Sequence, residues 1–233
     1  MSESNGYAVR TAGVWKIFQQ EAEEVQAVRD VSLTIGRGEF TALAGPSGSG
    51  KTTLLNLIGG LTRPTRGEIW VAGSELGALS NRELAQLRLE QVGFVFQAYN
   101  LLPVLTALEN AEFPMLLQGV PAAERSERIR ELFDRTGMTG LEDRRPGKLS
   151  GGQQQRVAVV RAVASQPALV LADEPTANLD SHASEALLDM MAELNRELGV
   201  TFVFATHDGH VMERSRRLVR MVDGAIDSDE TRS

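Results

Sequence analysis

Three short stretches of this chain carry residue types whose spacing implies chemistry on phosphates. The first is Gly45-Pro46-Ser47-Gly48-Ser49-Gly50-Lys51-Thr52, which matches the P-loop pattern G-x-x-x-x-G-K-[ST]. Small residues let the backbone fold tightly, so that several N–H groups converge on one anion. Lys51 adds a positive charge for the β- and γ-phosphates, and the Thr52 hydroxyl suits Mg²⁺. The second is Leu149-Ser150-Gly151-Gly152-Gln153, ahead of a helical pattern over Gln154 to Ala164. Ser-Gly-Gly at a helix N-terminus is again an anion site, because unpaired N–H groups and the helix dipole face the ligand there. The third is the acidic pair Asp173-Glu174, which follows the apolar run Ala168 to Ala172. That places it at the carboxyl end of a buried strand, where α/β sheets hold ligands.

These residues need a scaffold, and the pattern around them supplies one. Glu39 to Ala44 reads as the strand entering the P-loop, and Thr52 to Ile58 as the helix leaving it, with its N-terminus toward the phosphates. Tyr7 to Phe18 and Ala27 to Ile35 read as strands, with a charged loop at Gln19 to Glu24 between them. Glu68 to Val71 is a short strand. Ser80 and Glu83 have capping-box spacing for a helix reaching about Leu89. Val92 to Phe96 reads as a buried strand ended by Gln97. From Leu105 to Ala164 the pattern is helical, with Pro121 at a first helical position, Ile129, Leu132 and Phe133 as an apolar stripe, and Gly137 as the stop. Glu124 and Arg128 read as an exposed i,i+4 pair. After the Asp173-Glu174 strand come a helix over about Ala183 to Leu198, a strand at Val200 to Ala205 ending in Thr206-His207-Asp208, and a hairpin over Arg217 to Ile226 turning at Asp223-Gly224. The tail beyond Asp227 reads as frayed.

Length and composition set the outer limits. The 233 residues suit one α/β domain with an insertion, and 42% hydrophobic content is enough for a core. A net charge of −7 argues against nonspecific nucleic-acid binding, so no nucleic-acid partner is expected. There is no cysteine, which excludes disulfides and thiolate-bound metals. Met1 to Gly6 lacks a signal region, and no apolar run approaches the ~20 residues that span a bilayer. The expectation is a cytoplasmic protein that reaches a membrane only through a partner.

Taken in order, these motifs resemble those of the ATP-binding subunits of ABC transporters. Gly45 to Thr52 matches the Walker A motif, Gln97 the Q-loop, Leu149 to Gln153 the signature, Leu169 to Asp173 with Glu174 the Walker B motif, Asn178-Leu179-Asp180 the D-loop, and His207 the switch histidine. The resemblance implies a P-loop NTPase of RecA-like core with an N-terminal antiparallel β subdomain and an inserted α-helical subdomain. It divides one domain over 7–227 into a core of about 7–97 and 165–227 and a helical part of about 98–164, with flexible termini at 1–6 and 228–233. It implies an ATPase working with ATP and Mg²⁺ as a head-to-tail homodimer on an integral membrane permease, peripheral to the inner face of the cell membrane.

The residue roles follow from the same resemblance. Asp173, Thr52 and Gln97 would hold the metal, Glu174 would act as general base, and His207, Lys51 and Gln97 would assist. Gly45, Pro46, Ser47, Gly48, Ser49, Gly50, Lys51, Thr52 and Thr53 would bind the nucleotide in one subunit. The signature residues Ser150, Gly151, Gly152 and Gln153 would meet it from the other, and Asp180 of the D-loop would also bind it. The adenine-stacking position, often Tyr in the family, falls on Phe18, with Trp15 as the alternative. His182 and His210 read as surface residues. The stretch Phe94 to Pro103, leading into Leu105 to Asn110, is similar to the branch that contains lipoprotein-releasing, macrolide-exporting and cell-division ATPases. This leaves a regulatory role at a cell-wall hydrolase, or a non-transport role on DNA or ribosomes, as alternatives. Tyr99 to Pro103 would border the groove that receives the permease.

Overall fold

A computed structural model describes residues 6–20 and 23–232. Among these, ten strands form two sheets. The first is antiparallel, with order β2-β1-β4-β5: β1 (Tyr7–Gln20), β2 (Glu23–Gly36), β4 (Arg66–Val71) and β5 (Ser74–Glu75). The second has order β10-β9-β3-β8-β7-β6. Its parallel strands are β3 (Phe40–Ala44), β6 (Val92–Val95), β7 (Leu169–Asp173), β8 (Thr201–Thr206) and β9 (Arg217–Val222). Antiparallel β10 (Ala225–Thr231) closes one edge.

Alternation along the parallel strands explains why this sheet is buried on both faces. Leu169, Leu171, Val203 and Ala205 join one apolar cluster, shared with the antiparallel sheet and with helix α1 (Lys51–Ile58). Val170, Ala172, Phe202 and Phe204 point the other way, into a cluster shared with helices α3 (Ala107–Leu117), α4 (Ala122–Arg135), α5 (Gly151–Ala164) and α6 (Ser181–Leu198). The P-loop strand therefore enters the core as the sandwiched member of a three-layer arrangement.

Local chemistry sets the helix starts. Ser80 and Glu83 form the expected capping box on α2 (Asn81–Gln91). Ser150 and Gln153 form another on α5, and Thr106 and Glu109 a third on α3. A short helix α7 (Gly209–Arg214) starts at the Asp208 cap. Segment 98–164 carries α3, α4 and α5, with no strand among its residues. A half-buried ion pair, Arg125 to Glu112, joins α4 to α3.

The structure corrects several expectations. Residues 228–231 are not frayed: they extend β10, pairing with β9 from Ser228↔Arg220 to Thr231↔Arg217. Arg217 fastens this edge by donating to Asp229 and to Glu39. The expected flexibility of residues 1–5 and 233 lies outside the described residues. Gln19, Gln20, Glu23 and Glu24 are strand rather than loop, because β1 and β2 pair as far as Gln20↔Glu23. Pro121 is the cap before α4 rather than its first residue. Arg128 is not on a solvated face; its Nε donates to the Ala164 carbonyl at 2.7 Å and ties α4 to the end of α5.

Candidate active site

The P-loop runs from β3 to α1, and its residues wall a cavity of about 850 Å³. Pro46 through Thr53 line it, together with Gln97, Glu174 and His207. Each comes from the carboxyl end of a neighbouring strand: β3 leads to the loop, β6 to Gln97, β7 to Glu174 and β8 to His207. Parallel strands in register bring these ends together, so four stretches distant in sequence form one polar wall.

Lys51 is buried, and its Nζ donates to the carbonyls of Gly45 and Pro46 at 2.8 and 2.9 Å. These bonds hold the ammonium over the loop. The Thr52 hydroxyl donates to Asp173 Oδ1 at 2.9 Å. Burial, the largest influence, pushes the Asp173 carboxyl above its ordinary value; the Thr52 hydrogen bond opposes this, Glu174 adds to it, and Lys51 opposes it. An oxygen set of one hydroxyl and one desolvated carboxylate fits Mg²⁺, which takes few protein ligands beside phosphates and water.

Glu174 sits at φ +46, in the left-handed region that non-glycine residues rarely occupy. Its N–H donates to the Ala205 carbonyl at 2.9 Å. Its Oε1 lies 2.7 Å from His207 Nδ1. An ionised carboxylate only accepts, so this bond assigns the ring proton to Nδ1. Asp208 accepts from the Thr176 hydroxyl at 2.9 Å, fastening the His207 loop to the segment after Glu174.

The signature residues lie elsewhere. Ser150, Gly151, Gly152 and Gln153 open α5, and none of them lines the cavity. Ser150 is exposed, and its hydroxyl accepts from the Gln153 N–H within the capping box of α5. Asp180 is also absent from the cavity; its carboxylate caps α6 by accepting from Ala183 N–H at 2.8 Å. His182 and His210 are exposed, away from the site.

The two aromatic residues expected at the adenine, Phe18 and Trp15, lie outside the cavity lining. Phe18 is 40% exposed, with Lys16 Nζ 5.0 Å from its ring centroid. It pairs across the hairpin with Val25, which does line the cavity, so the two side chains share a face beside it. Trp15 instead pairs with Arg66 of β4.

Sequence reading missed Val25, Gln26, Ala27, Arg29 and Asp223 as cavity residues. They reach it because Arg29 N–H donates to the Gly224 carbonyl at 2.7 Å and Gly224 N–H to the Ser49 carbonyl at 3.1 Å. These are backbone bonds, which leave no mark on residue type.

A phosphate-binding loop, a strand-end carboxylate pair and a histidine on that pair, with a signature helix set apart, define a nucleoside triphosphatase of the ATP-binding-cassette class. The comparisons agree. The family model described as "ABC transporter" matches residues 28–177. The lipoprotein-releasing system ATP-binding protein LolD of Anaeromyxobacter dehalogenans is 48% identical, covering 95% of this chain and 93% of that protein. The macrolide export ATP-binding/permease protein MacB 1/2 of Paracoccus denitrificans is 43% identical over 98% of this chain, which spans 34% of that longer protein. A solved structure of the cassette MJ0796 of Methanocaldococcus jannaschii, a dimer in a post-hydrolysis state bound to ADP and Pi, aligns with a TM-score of 0.87 and 40% identity over 96% of this chain and 98% of that one. This chain belongs to the ABC transporter family, as one of its ATP-binding, ATP-hydrolysing subunits.

Proposed function

We propose that two copies of this chain close head to tail on two ATP molecules and drive a membrane permease of the lipoprotein-releasing or macrolide-exporting type. The observation that carries this reading is the composition of the cavity. It holds Lys51, Gln97, Glu174 and His207, but no signature residue. One P-loop leaves the outer face of a γ-phosphate bare, and the free helix N-terminus at Ser150 to Gln153 suits that face in a second copy. Asp180 lies at the start of α6 and joins the same interface in this reading.

Within one site, Pro46 through Thr53 wrap the phosphates with backbone N–H groups, and Lys51 neutralises charge on the β- and γ-phosphates. Thr52, Asp173 and Gln97 hold Mg²⁺, which when bound supplies charge to the triphosphate oxygens. Glu174 takes the proton of the attacking water, and His207 orients Glu174 through the Nδ1 bond. Phe18, sharing a face with Val25, stacks on the adenine. Such positioning and charge neutralisation are what phosphoryl transfer requires.

The permease docks in an apolar groove of about 400 Å³ between β6, α3 and α5, which includes Leu61, Phe94, Phe96, Pro114 and Leu117. Of the Tyr99 to Pro103 segment only Asn100 lines it. Leu116, Leu117 and Val104 are nevertheless left 47%, 58% and 73% exposed, as a docking surface requires. Residues 98–164 form the helical part that carries the signature and, through α3 and α5, one wall of the groove. None of the described helices is long and apolar enough to cross a membrane.

The test is Glu174→Gln. Removing the base lowers turnover by roughly 10²- to 10⁴-fold while ATP binding persists. Sedimentation with ATP and Mg²⁺ then registers an accumulated dimer. Normal turnover, or a monomer at saturating ATP, overturns the reading.

A further inference from the structure

Gln155 stands one turn into the signature helix, and nothing in the motif reading gives it a task. It is fully buried in a helix whose other buried residues, from Val157 to Ala164, are all valine or alanine. Its Nε2 donates to the Pro175 carbonyl at 2.8 Å and lies 3.4 Å from the Phe96 carbonyl. Pro175 directly follows Glu174, and Phe96 directly precedes Gln97. One side-chain amide thus joins the signature helix to the backbones that carry the base and the Q-loop glutamine. Its Oε1 is buried with no partner among the described residues. Leaving an acceptor unpaired destabilises a fold, so an apolar side chain would suit this position better unless the amide donor had a use.

The backbone beside it explains that use. Glu174 is held in the left-handed region at φ +46, a conformation that persists only where its surroundings fix it. On one side its N–H is anchored to Ala205 of β8. On the other, the next carbonyl is anchored by Gln155. Further along α5, Arg161 donates to the carbonyls of Tyr99 and Asn100 at 2.9 and 2.6 Å, so the same helix holds the chain after Gln97 as well.

We propose that Gln155 is a positioning residue that makes the pose of Glu174 depend on the placement of the signature helix. The N-terminus of α5 serves the ATP held by the partner copy, while Gln155 serves the ATP held by its own. Engagement of one site is thereby transmitted to the base of the other through a single helix. This inference rests on the reading of Glu174 as base and of the signature as a contact in trans.

The test is Gln155→Met, which keeps the length and removes the donor. Steady-state hydrolysis should show kcat reduced about tenfold or more, the size of effect expected for a base displaced by a fraction of an ångström, with KM within about twofold. The melting temperature should move by less than about 4 °C, because the lost hydrogen bonds are offset by removal of the orphaned carbonyl. In the Glu174→Gln background the same change should lower the residual rate by less than about twofold, since Gln155 acts through Glu174. Wild-type turnover in Gln155→Met overturns the inference. So does a full multiplicative loss in the double variant, or a joint collapse of melting temperature and ATP affinity, which would make Gln155 structural only. If Glu174→Gln itself turns over normally, the base assignment fails first, and that result is read separately.

Discussion

Two glycines of the P-loop differ in one measurable respect, and the difference tests whether the loop is packed as described. Both have positive φ, +80 at Gly48 and +96 at Gly50. A non-glycine residue in that region costs about 1–2 kcal/mol. A Cβ at Gly48 meets nothing within 4 Å, so conformational strain is the whole cost there. A Cβ at Gly50 would lie 2.2 Å from the Ala27 carbonyl oxygen. That oxygen belongs to the backbone of β2 and has no rotamer to escape into. Overpacking of this kind adds about 1–3 kcal/mol. For a chain of this size, at about 2–4 °C per kcal/mol, Gly50→Ala should melt lower than Gly48→Ala by roughly 2–12 °C. Because Ala27 also lines the cavity, Gly50→Ala should weaken ATP binding more as well. Scanning calorimetry of the two variants without nucleotide, followed by titration with ATP, measures both effects. Equal melting temperatures, or a larger loss at Gly48, would refute the argument that the β2 backbone closes on the loop.

Three further predictions address the charged and trans contacts. Lys51→Ala removes a charge-assisted contact to phosphate and should weaken ATP binding roughly 10- to 150-fold by calorimetric titration, leaving the fold intact. Ser150→Arg should spare ATP binding by the monomer, cost about 1 kcal/mol through the lost helix cap, and abolish the ATP-driven dimer in sedimentation of the Glu174→Gln variant. Asp173→Asn should lower Mg²⁺-dependent hydrolysis yet raise the melting temperature of the nucleotide-free chain at neutral pH. The sign follows from burial, which raises the Asp173 pKa in the folded state: the group favours folding below its unfolded pKa and loses that contribution as pH rises through the folded value. The gain in Asp173→Asn should therefore shrink as the pH is lowered, and a variant that melts below the parent at neutral pH contradicts it.

Side chains with a local partner were legible from sequence, and backbone-mediated closures were not. Ser80 with Glu83 announces its helix because both halves of the box lie within four residues. The parallel strands announce themselves because burial on both faces forces continuous apolar runs, as in Leu169 to Ala172. By contrast, β10 is written in Asp227, Ser228, Asp229 and Glu230, and only main-chain pairing with β9 and the Arg217–Asp229 contact make it a strand. Arg29 joins the cavity through two main-chain bonds across Gly224, in which the arginine side chain takes no part. Arg128 pairs in sequence with Glu124 but in space with the end of α5, since the tertiary carbonyl of Ala164 outcompetes a weak surface pair.

In the proposed head-to-tail dimer, division of the site between two copies accounts for how cleavage is felt at a distance. Taking a two-state equilibrium from about 1:99 to about 99:1 requires about 5.5 kcal/mol. A homodimer has two equivalent sites, so each need supply only about half of that. The groups that Ser150 to Gln153 can bring fall in this range: a helix N-terminus contributes up to ~2 kcal/mol in a partly buried setting, and one charge-assisted hydrogen bond about 1.5–3 kcal/mol. Both contacts address the γ-phosphate, so both vanish when it leaves. What remains on each side is Lys51 facing the shorter diphosphate within its own loop, and the carboxylate Asp173, whose pKa is raised chiefly by burial and further by the neighbouring Glu174. In this reading the contacts that draw two copies together weaken once the cleaved phosphate has left, and α5, fastened to the chain after Gln97 by Arg161 and to the Walker B turn by Gln155, moves with the groove proposed to face the permease.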